Sequence, residues 1–177
     1  MDVSEAWNEA GQLVIQAIAR SPLVKRACMP SRVLRPLFSR YEIGMQYGWC
    51  NDNLLMIEGR PLRSDIAVTV FLSELDSYEG GDLLVNTAGG QARLRLPSGH
   101  AMLYLATTIH SVAEVIKGTR NVAVTWIQNI VESAAQRELL HELDAASRLL
   151  RDKAPESDEA CLPMKVHAKL MRMWCDI

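Results

Sequence analysis

The chain has 177 residues, 49% apolar and 23% charged, which suits one packed domain, alone or with a small appendage, and argues against a disordered chain. Its formal net charge of -2 gives no general attraction to nucleic acid or anionic membrane. No apolar run is long enough to span a bilayer, and the opening MDVSEAWNEAGQLV lacks the basic and apolar regions of a signal peptide. A cytoplasmic protein with no nucleic-acid or membrane partner is therefore expected.

Residues 4–20 read as a helix, with Ser4 as N-cap and Trp7, Leu13, Val14, Ala17 and Ile18 near one stripe. Ser21-Pro22 stops it. From Val33 onward, short β-rich runs alternate with Gly, Pro, Asn and Asp punctuation. The expected strands are Val33–Phe38, Arg40–Tyr47, Asp65–Leu72, Leu83–Asn86, Ala92–Leu96, Ala101–Leu105, His110–Ile116 and Asn121–Asn129. So many strands on short loops indicate a sandwich or barrel. Helical period returns at Glu132, with Leu139, Leu140, Leu143, Ala146, Leu149 and Leu150 as the apolar stripe. Lys153–Glu159 reads as a loop, and a last short helix is expected to dock through Val166, Leu170, Met173 and Trp174. The expected organisation is the N-terminal helix plus barrel in residues 1–131, with a helical extension, 132–177, packed on the same domain.

The four cysteines form no C-x-x-C pair. Cys28, Cys161 and Cys175 read as small apolar filler. A carboxylate (Asp52), an imidazole (His110) and a guanidinium (Arg120, ten residues further on) come from separate strand-like runs and could converge in the mouth of one barrel. Carboxylate plus imidazole suits a divalent first-row metal, and Arg suits a carboxylate ligand. Spacing alone is weak evidence, because a lone His or Arg at such spacing is more often structural.

The order of short motifs is more specific. SRYEIGMQYGWCNDN, RSDIAVTVFLSELDSYEGGDLLV and LRLPSGHAMLYLATTIHSVAEVIKGTRNVAVTWIQN follow one another, and AAQRELLHELDAA and VHAKLMRMW come after them. Over about residues 30–177 this resembles the prolyl-4-hydroxylase-like Fe(II)/2-oxoglutarate-dependent dioxygenases, and among them the bacterial PKHD-type hydroxylases. The resemblance implies a mainly β fold with flanking helices, a double-stranded β-helix (jelly roll, cupin-like). It implies Fe(II) and 2-oxoglutarate as cofactors and admits ascorbate. Molecular oxygen and a small-molecule or amino-acid/peptidyl substrate would be the partners; oligomeric state is left open. It further implies Asp52 and His110 as metal ligands and catalytic residues, Arg120 as partner of the far carboxylate of 2-oxoglutarate, and Tyr41 as a wall of the same pocket.

The sequence departs from the family pattern at H-x-D, which here reads Cys50-Asn51-Asp52. Residues two apart on a strand share a side, so Cys50 is expected to face the site beside Asp52. Three readings stay open: Cys50 is a thiolate ligand of the metal; the site holds metal weakly through Asp52 and His110 alone; or Cys50 is an introduced substitution. A histidine, His100, stands in PSGH where relatives commonly carry an acid, and reads as a turn or surface residue. His141 and His167 fall in helices outside the barrel. Relatives also carry an additional segment ahead of the first helix. Trp126 reads as core first and substrate wall second, Asn53 as a residue of the mouth, and Arg63/Asp65 as a local ion pair.

Overall fold

The computed structural model describes residues 3–57, 59–155 and 157–176. In chain order the elements are α1 (Val3–Arg20), α2 (Pro22–Cys28), β1 (Pro30–Val33), β2 (Leu37–Tyr41), β3 (Tyr47–Cys50), β4 (Leu55–Met56), β5 (Leu62–Arg63) and β6 (Ile66–Phe71). Then come β7 (Tyr78–Gly80), β8 (Leu83–Thr87), β9 (Gly90–Leu94), β10 (Ala101–Leu105), β11 (His110–Val112), β12 (Val115–Gly118), β13 (Arg120–Asn129), α3 (Ala134–Lys153) and α4 (Asp158–Trp174). The chain divides into two compact units, residues 1–16 with 32–128, and residues 17–31 with 129–177.

The first unit holds the strands that build the site. Its larger sheet has five strands, in the order β1-β13-β6-β10, with β2 also pairing on β13. The central strands β6 (IAVTVF) and β13 are almost continuously buried, as strands covered on both faces must be. The second sheet has the order β3-β11-β8-β9, and two short ladders, β12-β7 and β4-β5, complete the set. Ala67, Phe71, Val122 and Trp126 of the large sheet share one core with Leu83 and Val85 of the small one. This two-sheet, antiparallel arrangement is the double-stranded β-helix expected from the sequence.

Several expected boundaries shift for local reasons. Ser21-Pro22 does stop α1, but Ser21 also accepts from the Val24 N–H as N-cap of α2, with Pro22 preorganised in the first turn. The expected N-cap at Ser4 lies outside the described side chains. Arg40–Tyr47 is not one strand, because β2 ends at Tyr41 and a turn containing Gly44 (φ 81°) precedes β3. His110–Ile116 splits into β11 and β12, which join different ladders. The short strands β4, β5 and β7 carry too few residues for periodicity to mark them.

In the second unit, Met29, Val131 and Leu140 are buried, with Leu170, Met171, Trp174 and Cys175 packed against them. The buried face of α3 includes Arg137, Leu140 and Ser147, whereas Leu139, Leu149 and Leu150 of the expected stripe are exposed. Two polar residues take core positions because their donors are satisfied locally: Arg137 Nη1 donates to Val131 O at 2.8 Å, and Ser147 Oγ donates to Leu143 O at 2.7 Å. Helix α4 runs 17 residues rather than being short. Of its expected docking face, Leu170 and Trp174 pack inward, while Val166 and Met173 are exposed. Cys28 is buried as expected, Cys161 is exposed and Cys175 half-buried.

Asp82 closes the β8–β9 hairpin of the first unit. Register pairs Leu83 with Leu94, so Asp82 falls opposite Arg95. Arg95 Nε donates to Asp82 Oδ1 at 2.6 Å, and Arg93 Nε donates to Oδ2. Burial raises the Asp82 carboxyl, but the hydrogen bonds from Arg95 and Arg93 outweigh it and hold the group below the usual carboxylate range. A carboxyl whose folded pKa is depressed contributes stability above its unfolded value and loses it as pH falls through the folded value. Asp82→Asn should therefore cost about 2 kcal/mol at about pH 7. The gap to the parent should shrink below about pH 4, where the unfolded carboxyl takes up a proton while the folded one is still ionised. Urea unfolding across that range checks both; a gap constant with pH would remove Asp82 as the titrating group.

Candidate active site

Strand alternation turns one set of side chains toward a common cavity. Arg120, Val122, Val124 and Trp126 are alternate residues of β13, and Leu37, Ser39 and Tyr41 are alternate residues of β2; all seven line it. The cavity measures about 400 Å³ and is also lined by Cys50, Asp52, Asn53, Tyr104 and His110. Every residue expected in the site from sequence thus borders one cavity of the first unit. His100 does not: it is exposed, in the turn before β10, with its ring Nδ1 3.4 Å from Ser98 O. His141 and His167 lie on α3 and α4 of the second unit and are not among the lining residues.

Two cross-strand pairs organise the cavity. In the small sheet, His110 pairs directly with Cys50, so their side chains share a face and Cys50 Sγ lies 3.8 Å from His110 Nε2. In the large sheet, Arg120 pairs directly with Tyr41, and the guanidinium carbon sits 5.1 Å from the Tyr41 ring centre.

His110 is buried on β11. Its Nδ1 lies 3.0 Å from Thr108 O, and an N–H there donates to that carbonyl. The Nε2 lone pair is then the one left for the cavity, which is the arrangement a metal-ligating imidazole uses. The Tyr104 ring packs on the imidazole with centroids 5.0 Å apart. Burial pushes the Tyr104 hydroxyl up to about 12, so it stays protonated.

Asp52 is not held by strand alternation as expected, because β3 ends at Cys50. Instead its backbone N–H donates to Ala106 O at 3.1 Å, which pins the segment beyond the strand. Asp52 Oδ2 is buried without a hydrogen-bond partner, as is the Trp126 indole nitrogen. Burial raises the Asp52 carboxyl, and the Trp126 indole and His110 counter this in part. Burial pushes the Cys50 thiol up, and the neighbouring Asp52 charge pushes it further. Among the described residues, no three His, Cys, Asp or Glu side chains form a ready-made metal cluster.

Arg120 is 1% exposed, and among the described residues Nε, Nη1 and Nη2 have no hydrogen-bond partner. The Phe71 ring centre lies 5.7 Å from its guanidinium carbon. Burial works against its charge, and the nearby Tyr41 and Tyr78 hydroxyls favour it. A guanidinium in such a place is matched by an anion with paired oxygens, so the cavity fits a carboxylate ligand at this end. At the other end, the Nε2 lone pair and the orphaned Asp52 oxygen fit a divalent metal as two ligands. Cys50, opposite His110, adds a thiol beside them.

The 2OG-Fe(II) oxygenase superfamily pattern matches residues 36–128, the span that carries this cavity. The chain belongs to that superfamily. It is similar to PKHD-type hydroxylases, among them one from Thermosynechococcus vestitus, 39% identical over 174 residues, 98% of this chain and 78% of that protein. One from Xanthomonas euvesicatoria is 37% identical over 179 residues, again 98% of this chain and 78% of that protein. In structure the chain is similar to apo HygX from Streptomyces hygroscopicus, with a TM-score of 0.50 at 14% identity over 68% of this chain and 69% of that one. The enzyme class is therefore that of the Fe(II)/2-oxoglutarate oxygenases.

Sequence reading missed the environment of Arg120. Gly80-Gly81 reads as a tight turn, but the glycines serve close approach. Gly81 has φ +64°, and a Cβ on it would lie 2.9 Å from Arg120 Cδ and 3.0 Å from Val115 Cγ2. Gly81→Ala should destabilise the protein by about 1–3 kcal/mol through strain at positive φ and overpacking. Thermal or urea unfolding measures this, and an unchanged stability would show that the Arg120 side chain has room to move.

Proposed function

We propose that the cavity holds Fe(II) through His110 and Asp52 and the far carboxylate of 2-oxoglutarate through Arg120, and that the protein oxidises a C–H bond of a small-molecule or amino-acid/peptidyl substrate. The observation that carries this reading is the buried Arg120 guanidinium, without an acceptor, in one cavity with His110 and Asp52. When bound, the metal and 2-oxoglutarate supply the oxidising power, with dioxygen reduced as 2-oxoglutarate is converted to succinate and carbon dioxide.

The chain's own residues do the rest. Arg120 offers two parallel N–H donors to the distal carboxylate, and the Tyr41 ring covers a face of the guanidinium. That cover excludes water from the ion pair and strengthens it. Thr108 O holds the His110 ring so that Nε2, and not Nδ1, faces inward. Asp52 contributes an oxygen that has no other partner. The exposed residues Asn51 and Asn53 leave polar groups at the mouth for a substrate to meet.

A second reading has one observation in its favour: position 50 is a cysteine, where the family pattern has the first histidine. In that reading the chain is a catalytically impaired relative that keeps the 2-oxoglutarate pocket. Anaerobic calorimetry with Fe(II) and 2-oxoglutarate, followed by succinate assays, separates the two. Arg120→Lys keeps the charge but loses the fork, and should raise the 2-oxoglutarate Kd at least about tenfold. His110→Ala and Asp52→Ala should each abolish iron retention while the fold persists. Unchanged binding in these variants would dissolve the assignment.

Cys50→His tests the second reading directly. The β3–β11 register holds residue 50 against His110 whatever its side chain. The larger ring must fit, and overpacking in a tight core costs about 1–3 kcal/mol. Cys50 is only half-buried, which leaves that volume partly available. We expect tighter Fe(II) binding and equal or greater 2-oxoglutarate turnover in Cys50→His. Loss of a substrate oxidation that the parent performs would instead make Cys50 a working participant.

A further inference from the structure

Tyr78 lies on β7, is 2% exposed, and has a hydroxyl with no hydrogen-bond partner. It is not among the residues that line the cavity. Gly81 lets it come near Arg120: Arg120 Cδ and Tyr78 Cε2 lie 2.9 and 3.5 Å from where a Gly81 Cβ would stand. The phenol and the guanidinium are thus buried close together, and among the described residues no other side chain satisfies either. The phenol oxygen can also accept, and a guanidinium has five N–H groups, of which a bidentate carboxylate uses two.

Tyr78 is itself held. The Arg95 guanidinium carbon lies 5.0 Å from the Tyr78 ring centre, Arg95 Nη1 donates to Tyr78 O at 3.2 Å, and Nη2 donates to Gly80 O at 2.8 Å. Asp82 anchors Arg95 in turn. This relay runs from an ion pair at the hairpin, through a clamped aromatic ring, to the neighbourhood of Arg120.

We propose that Tyr78 is a positioning residue for 2-oxoglutarate: its hydroxyl accepts from an Arg120 N–H and orients the guanidinium toward the distal carboxylate. The inference rests on the reading of Arg120 given above. It assigns the YEGGDL segment a role in ligand binding in addition to its role in the turn. The phenol acts through Arg120, so its effect is confined to ligands that carry the distal carboxylate.

Tyr78→Phe keeps the ring and removes only the hydroxyl. Calorimetry on the anaerobic Fe(II)-loaded protein should show a 2-oxoglutarate Kd raised about tenfold, the scale of one hydrogen bond to a charged group. Binding of 2-oxopentanoate, the same oxo acid without the distal carboxylate, should be unchanged, as should the thermal midpoint. Equal losses for both acids, no loss for either, or a variant that fails to fold would each assign Tyr78 to the core and overturn the inference. Arg120→Lys serves as the reference. If it leaves 2-oxoglutarate binding intact, the Arg120 reading itself fails. If it weakens binding while Tyr78→Phe does not, only the role of Tyr78 fails.

Discussion

A guanidinium buried without an acceptor is the constraint around which the site is built. Removing a charge from water costs several kcal/mol unless a partner replaces the lost hydration. Among the described residues Arg120 has aromatic rings for neighbours and no ion-paired carboxylate. Rings of Tyr41 and Phe71 return part of that cost through their faces but satisfy no N–H. The chain therefore carries a standing bias toward a bound anion. Gly81 belongs to the same constraint, because a side chain there would occupy the space that the stem of Arg120 fills.

The second organising fact is register. His110 with Cys50 in one sheet, and Arg120 with Tyr41 in the other, are directly opposed pairs. Direct opposition sets side chains on one face at short range without help from loops. The two sheets close on a shared core of Phe71, Leu83, Val85, Val122 and Trp126, so the geometry of the cavity follows from the core. A site on strands is more rigid than one on loops, which suits a ligand that must be held at both ends. Asp52 is the exception. It sits past the end of β3 and depends on one backbone hydrogen bond to Ala106.

What could be seen in the sequence follows the same division. Alternation along RNVAVTWIQN already aligns residues 120, 122, 124 and 126 on one face, and motif order named Asp52, His110, Arg120 and Tyr41 together. Pairing between distant strands was not visible: no local pattern places Tyr78 beside Arg120 or Asp82 beside Arg95. Those depend on hairpin register and on glycines whose φ values periodicity does not report. In α3 the apolar stripe is right at Leu140 but too wide, since Leu139, Leu149 and Leu150 are exposed. Arg137 and Ser147 are buried there because nearby backbone carbonyls accept their hydrogen bonds, which apolar periodicity does not report.

The same separation of backbone from side chain bears on Cys50. Position 50 is aimed at Nε2 of His110 by the β3–β11 ladder, and the ladder is indifferent to which side chain it carries. Change at this position therefore alters ligand chemistry while the scaffold stays in place. A thiol is shorter and softer than an imidazole, and here burial and the Asp52 charge disfavour its ionised form. Only a metal with enough Lewis acidity to displace the proton would recruit it, since coordination itself deprotonates a thiol. The carboxylate end of the cavity shares none of this dependence, because Arg120 and its aromatic neighbours lie on other strands. On the proposed reading the two halves of the site can therefore differ in competence: a 2-oxoglutarate pocket set by the large sheet, and a metal centre whose strength depends on one side chain of the small sheet.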